Sequence, residues 1–359
     1  MRRAGATRSG GRPRKPWSGP ASCVDPTEIT FTSGSTEGIN LAVKGIAERY
    51  RRRGRHIVTA ATEHRAVLDV CAHLERGGFE VDYLAPDADG RVTPEAVAAA
   101  LRDDTILVAL MWANNETGVV LDVAGVGEVC RARGVLFFSD ATQAVGKVAV
   151  APREVGVDAL ALSAHKFYGP KGVGALWVRS ADPRVAIAQQ QHGGGHEGGI
   201  RSGTLNVPGI VGLGAAAALA AGEYASVGRR LAAIRDGLER ALARELDQVI
   251  VNGDNAERLP HISNVSFRFV EAEALLSSFQ RRLALSTGSA CSSADLEPSH
   301  VLLAMGLSPE DAKSAVRISL GRATSDRHAA RAVDLLVRGV RRLRAESPLW
   351  ELHLDGVLE

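Results

Sequence analysis

The sequence predicts an α/β fold, with a mostly parallel sheet covered on both faces by helices and a smaller α+β domain after it. Three observations carry this expectation. Short apolar runs of strand length alternate with helical patterns through the first half of the chain, as stacked βαβ units do. Several of those runs are apolar without alternation, the mark of strands buried on both faces. A chain of 359 residues, 45% of them hydrophobic, can bury a large core and divide into two or three domains.

The first strand is Glu28-Ile29-Thr30-Phe31-Thr32, then the turn Ser33-Gly34-Ser35-Thr36-Glu37-Gly38 and a helical pattern from Ile39 to Arg49. Strand, small-residue turn and helix make an anion site, because the first backbone N–H groups of the helix and the hydroxyls of Ser35 and Thr36 can face one phosphate. The turn has neither a Walker signature nor spaced dinucleotide glycines, so alone it reads equally as an ordinary capped helix. Arg55 to Ala60 is the second strand, and Thr62-Glu63-His64-Arg65-Ala66-Val67 opens the next helix. His64 there is a helix cap or, at a strand's carboxyl end, a catalytic group. Phe79 to Leu84 and Thr105 to Leu110 are further strands around a helix at Thr93 to Leu101. The polar cluster Asn114-Asn115-Glu116-Thr117-Gly118 that follows is at least a turn.

Two stretches then carry the chemistry. Val135 to Gln143 is an apolar strand ending in Asp140, and Val157 to Leu162 is another, running into Ser163-Ala164-His165-Lys166-Phe167-Tyr168-Gly169-Pro170-Lys171-Gly172. Lys166 thus leaves a buried strand at the edge where open α/β sheets bind ligands. By itself it reads as a lysine capping a strand end; partly buried and near other cations, its amine becomes a Schiff-base former. Asp140 at the same edge reads as a helix cap or as a buried carboxylate in need of a cation. Pyridoxal phosphate joins the two readings, since its ring nitrogen pairs with an Asp and its aldehyde with a Lys.

Gly172 to Val178 completes seven strand-like runs. The loop His192-Gly193-Gly194-Gly195-His196-Glu197-Gly198-Gly199 offers two histidines and an acid, but its glycines remove the helix that would align them, so no metal is expected. Val211 to Asp247 is Ala-rich and helical, with a break expected near Ser226-Val227-Gly228. The smaller domain has strands at His261 to Phe267 and Ala315 to Leu320 and helices at Glu271 to Leu283 and Arg327 to Arg344, the arginines of the last helix lying on a solvated face. Between them Leu285 to Ala294 holds Cys291 among small polar residues, an expected mobile loop with an exposed thiol.

The expected division is a basic tail at 1–25, a large domain at 26–225 and a smaller domain at 226–359. The tail is rich in Arg, Gly, Pro and Ser and too poor in apolar residues to order itself; an organelle transit peptide is the other reading, against which its Gly and Pro content argues. A formal charge of +2 gives no electrostatic reason to expect nucleic acid. The four cysteines form no C-x-x-C pair, which suits a reducing, cytoplasmic setting. No uninterrupted apolar run reaches the length of a membrane span.

The run from Asp140-Ala141-Thr142-Gln143 to Ser163 through Gly172 resembles the class V aminotransferases, and within them the cysteine desulfurases of the iron–sulfur cluster assembly type. The resemblance extends from about Thr27 to the C-terminus. It implies pyridoxal phosphate as cofactor and a fold type I transferase with a seven-stranded large-domain sheet. It implies that Ser35, Thr36, Ser163 and His165 serve the cofactor phosphate and that Thr204 reaches the phosphate of the neighbouring subunit, hence a homodimer. His64 would stack on the cofactor ring and shuttle protons, Asn115 and Gln143 would serve its ring hydroxyl, and Arg317 would bind the substrate carboxylate. Asn115 is also placed to bind substrate. Cys291 would take sulfur from L-cysteine as a persulfide and pass it to an acceptor or iron–sulfur scaffold protein, transiently meeting a nascent cluster. Two departures from the family stand out: Ser35 replaces a usual Gly or Ala, and Gly198 stands where a basic residue is common. An N-terminal Asn-Ala-Ala-Thr-Thr-type segment is also missing. The alternatives are another class V aminotransferase, a selenocysteine lyase, or an inactive shortened homologue.

Overall fold

The computed structural model describes residues 24–279, 282–287 and 297–357. The expected basic tail therefore lies, apart from Val24 and Asp25, outside the described residues, and so does Cys291 with most of its loop. The chain forms two compact units. The first takes residues up to Leu84, Thr93–Trp112 and Asp122–Ala225; the second takes Ala85–Val92, Ala113–Leu121 and the chain from Ser226 onward.

In the first unit the strands are β1 (Ile29–Thr32), β2 (His56–Ala60), β3 (Glu80–Leu84), β4 (Thr105–Met111), β5 (Leu136–Asp140), β6 (Ala159–Ser163) and β7 (Gly174–Val178). They form one sheet in the order β1-β7-β6-β5-β4-β2-β3. Strands β3, β2, β4, β5 and β6 pair in parallel, and β7 runs antiparallel to both β6 and β1. The sheet is the expected mostly parallel one of seven strands, with β7 reversed because only residues 164–173, a 3-10 turn and a short loop, separate it from β6, too few for a parallel crossover. All residues of β4, β5 and β6 are buried, which explains their unbroken apolar character.

Helices α1 (Ser35–Tyr50), α2 (Arg65–Arg76), α3 (Pro94–Ala100) and α4 (Val123–Arg133) make the connections, and α5 (Val207–Glu245) runs from the first unit into the second. Helix α1 buries Ile39, Ala42, Val43 and Ile46 in a core shared with Val67, Val70 and Leu74 of α2 and with Leu107, Phe138 and Leu176 of the sheet. The break expected near Ser226 does not occur, and α5 continues for 39 residues. A single helical glycine costs about 1 kcal/mol relative to Ala, too little to interrupt an Ala- and Leu-rich run. Helix α5 contains an 18-residue window that by length and composition is apolar enough to cross a membrane, 22% of it buried within the chain.

The second unit holds an antiparallel sheet in the order β10-β11-β9-β8, from β8 (Val249–Val251), β9 (Ile262–Phe267), β10 (Ser286–Thr287) and β11 (Ala315–Ser319). Its helices are α6 (Ala272–Ser277), α7 (His300–Ala304), α8 (Pro309–Lys313), α9 (Asp326–Ala345) and α10 (Pro348–Leu354). Helix α6 is shorter than the expected Glu271 to Leu283. Leu231, Leu238 and Leu242 of α5 pack with Val265, Phe267, Leu275, Leu336 and Val340 to form the core. The arginine face of α9 is solvated except at Arg344, which is buried and donates to the carbonyls of Arg268 (3.1 Å), Asp247 (2.8 Å) and Gln248 (3.1 Å). Burial lowers its pKa to about 10.

Candidate active site

Parallel strands end at one edge, and that edge of the first unit collects the predicted residues. Register explains how the phosphate cradle forms. Thr32 of β1, Gly174 of β7 and Ser163 of β6 sit side by side across the sheet. Gly174 has no side chain to hold the neighbouring turn off: a Cβ there would lie 2.7 Å from the Cα of Gly34. The turn settles onto the sheet, and α1 begins directly above Ser163, whose Oγ lies 2.9 Å from Nδ1 of His165. Gly34 is the N-cap of α1 and provides no side-chain bond. The first-turn N–H groups therefore face outward beside the hydroxyls of Ser35 and Thr36, at the positive end of the helix dipole.

Burial, together with the charges of Lys166 and Lys171, holds His165 below the usual imidazole range. It is a neutral hydrogen-bonding group rather than a fixed cation. The loop bearing Thr204 is tied to the same helix start. Arg201 Nε donates to Glu37 Oε1 at 2.7 Å, and Glu37 Oε2 accepts from Ser33 N at 2.6 Å. Thr204 itself is exposed.

Asp140 closes β5 and is buried. Burial pushes its pKa up, while two bonds from Thr142 and the positive charge of Lys166 pull it down. Both Thr142 bonds, from N at 2.9 Å and from Oγ1, fall on Oδ1, which leaves Oδ2 for another donor. His64 is the N-cap of α2; its Nδ1 accepts from Ala66 N at 3.1 Å, which puts the proton of the neutral ring on Nε2. Lys166 stands in a 3-10 turn just past β6 and is exposed rather than buried as expected, because that turn lifts its side chain off the strand. Gln143, three residues beyond Asp140, is half-buried.

Asn115 and Arg317 belong to the second unit. The guanidinium donates from Nε to Ser286 Oγ at 3.1 Å and from Nη1 to the carbonyl of Asn115 at 2.8 Å. No bond among the described residues uses Nη2. In the glycine loop, Glu197 Oε2 accepts from Phe31 N at 2.9 Å and His196 Nδ1 from Gly203 N at 3.3 Å, so both are spent on the backbone.

Sequence reasoning missed Thr142, although it stands two residues after Asp140, the spacing at which acids take bonds from the following backbone. It also missed Glu63, fully buried beside His64, whose Oε1 accepts from Met111 N at 2.7 Å. Nothing in Thr-Glu-His marks that acid as buried.

A family model described as aminotransferase class-V matches residues 23–330. The chain belongs to the class-V aminotransferase family, within its cysteine desulfurase branch. Among this family's members, the chain is 51% identical to "Cysteine desulfurase IscS" of Photorhabdus laumondii over 334 residues, 93% of the chain and 82% of that relative. The same figures hold for the protein of that name from an Escherichia coli O139:H28 strain. Of solved structures, a "NifS-like protein" superposes with a TM-score of 0.80 at 34% identity, covering 90% of this chain and 84% of its own. DndA from Streptomyces lividans does so with a TM-score of 0.71 at 41% identity, covering 82% and 83%.

The donor set of the class-V site in this chain fits pyridoxal phosphate. An uncapped helix start flanked by hydroxyls suits its phosphate, a buried carboxylate with one oxygen unused suits its ring nitrogen, and a lysine at the same edge suits its aldehyde.

Proposed function

We propose that the chain is a pyridoxal-phosphate-dependent cysteine desulfurase that converts L-cysteine to L-alanine and carries the sulfur away on Cys291. The observation that carries this reading is the meeting of Asp140, Lys166 and the uncapped start of α1 at one sheet edge in a chain 51% identical to curated cysteine desulfurases. When bound, pyridoxal phosphate supplies an electron sink for the carbon next to the substrate amine.

The protein's residues do the rest. Ser35, Thr36, Ser163, His165 and the first turn of α1 hold the phosphate, with Thr204 of a second subunit. Asp140 holds a proton on the ring nitrogen through Oδ2, and Asn115 and Gln143 bind the ring hydroxyl. Lys166 binds the aldehyde and then moves the substrate's α-proton. His64 would sit against the cofactor ring and hold its Nε2 proton toward the reacting groups. Arg317 binds the substrate carboxylate as a charge-assisted donor, beginning from its unused Nη2, with Asn115 beside it. The Cys291 thiolate attacks the substrate sulfur: an S–S bond forms, the C–S bond breaks with its electron pair left on carbon, and that carbon gains a proton to leave as alanine.

The persulfide then passes to an acceptor or iron–sulfur scaffold protein, and Cys291 would transiently meet a nascent cluster there. A homodimer is supported by the exposed apolar side chains of Val207, Val211 and Leu219 along α5, which solvent alone would leave uncovered. The free thiols Cys71 and Cys130 support a reducing, cytoplasmic setting.

The test measures sulfide and alanine released from L-cysteine, with pyridoxal phosphate and a dithiol reductant present, for the chain and for Cys291→Ala. Equimolar products that vanish in the variant support the reading. Cofactor absorbance without sulfide from either protein overturns it.

A further inference from the structure

The strands that end at Asp140 and Lys166 begin at the opposite edge of the sheet, about 17 Å away for a five-residue strand. There the first unit forms an open cleft of about 600 Å³. Its walls are the residues leading into β5 and β6, those following β7, and the C-terminal end of α1. Five arginines line it: Arg53, Arg131, Arg153, Arg179 and Arg184.

Their partners are unevenly shared. Arg179 is fully engaged, with Nε on Asp158 Oδ1 at 2.8 Å and Nη1 on the carbonyls of Ala181 and Asp182. Arg153 pairs with the buried carboxylate of Glu28, yet its Nε is buried with no hydrogen-bond partner. Arg53 donates to the carbonyl of Gly134 at 3.2 Å and lies over the Tyr50 ring, 5.7 Å from its centroid. The side chains of Arg131 and Arg184 make no hydrogen bond among the described residues, and no carboxylate forms an ion pair with Arg53, Arg131 or Arg184 there. The acids of the wall are Asp158, paired with Arg179 and also stabilised by the charge of Arg131, and Asp182, exposed and in no ion pair among the described residues. Three exposed guanidiniums that form no ion pair, Arg53, Arg131 and Arg184, thus share the cleft with one such carboxylate, Asp182, and leave it an excess of positive charge. Planar guanidinium forks suit phosphate oxygens in two-point pairs. The floor is apolar at Leu136 and Tyr50.

We infer that this cleft binds a small molecule bearing two or more phosphate groups, remote from the catalytic edge. The volume is several times that of one phosphate, and the apolar floor suits an organic portion such as a nucleoside.

The experiment is calorimetric titration of the holoenzyme, saturated with pyridoxal phosphate so that the catalytic phosphate cradle is filled. The probes are pyrophosphate, ATP and orthophosphate at low ionic strength. Pyrophosphate and ATP are expected to saturate one site per chain, with orthophosphate at least tenfold weaker. The variant Arg131→Gln/Arg184→Gln is expected to lose about 10- to 100-fold in affinity, at unchanged alanine formation. Should it melt lower than the parent, Arg184→Gln alone, at an exposed side chain, is read by the same titration. ATP binding tighter than pyrophosphate assigns the floor to the organic portion. The absence of saturable binding of both, or equal affinity in the variants, overturns the inference.

Discussion

Asp140 takes both of its hydrogen bonds from one neighbour, Thr142, on one oxygen. Those bonds partly offset the burial that raises its pKa. Asp140→Asn keeps the shape and loses the charge, and alanine formation is expected to fall about a hundred- to a thousand-fold with no loss of stability in a urea melt. Thr142→Val removes only the hydroxyl, so the Asp140 pKa rises further and the acid limb of the pH–rate profile moves to higher pH. His64 separates its two roles in the same way. Asn is as good an N-cap, so His64→Asn is expected to change stability by less than about 0.5 kcal/mol while turnover drops about a hundredfold or more. Cys71 and Cys130, both pushed up to about 12 by burial, are expected to stay inert to a thiol reagent until the protein is unfolded. At this scale the sequence disclosed residue type and edge position, which is why Asp140, Lys166 and His64 could be named from it. It did not disclose that Glu63 is buried, which depends on packing against residues far along the chain, or that a 3-10 turn after β6 leaves Lys166 exposed.

Among the elements, strands were the most legible, since each buried strand announces itself as a local apolar run. Helix ends were less so. Ser226-Val227-Gly228 looks like a break, but tertiary packing of Leu231, Ile234 and Leu238 into the second unit's core carries α5 across it. The same helix tolerates Gly237, where an added Cβ would meet nothing within 4 Å. Gly237→Ala is therefore expected to raise stability by about 0.5–1 kcal/mol in chemical denaturation. Gly174 is the opposite case. Its Cβ would fall 2.5 Å from the Leu162 carbonyl and 2.7 Å from Gly34, so Gly174→Ala is expected to lift the Ser33–Ser35 turn and weaken retention of pyridoxal phosphate in equilibrium dialysis.

For the molecule as a whole, Glu63 ties stability to pH. Burial raises its folded pKa well above 4.5, so the stability it contributes is full below 4.5 and is lost as pH rises through that raised value. Between those limits the slope is about −1.4 kcal/mol per pH unit, and Glu63→Gln should lack it. Denaturant melts at pH 5 and pH 8 are expected to show a smaller decline for the variant than for the parent. A parallel decline would mean that Glu63 is ionised in the fold.

The second unit draws on three separated stretches of chain, and no local pattern discloses that. Val120 N meets the Glu257 carbonyl at 2.7 Å, Leu259 N meets that of Gly118 at 2.7 Å, and Asn264 Nδ2 reaches that of Glu116 at 3.3 Å. During synthesis, the 85–92 and 113–121 strips emerge long before their partners and must wait for more than a hundred further residues to be made. Loop closure over such spans is slow. A ribosome pausing after α5 would leave these strips as exposed backbone, a target for chaperones or for strand exchange between nascent chains.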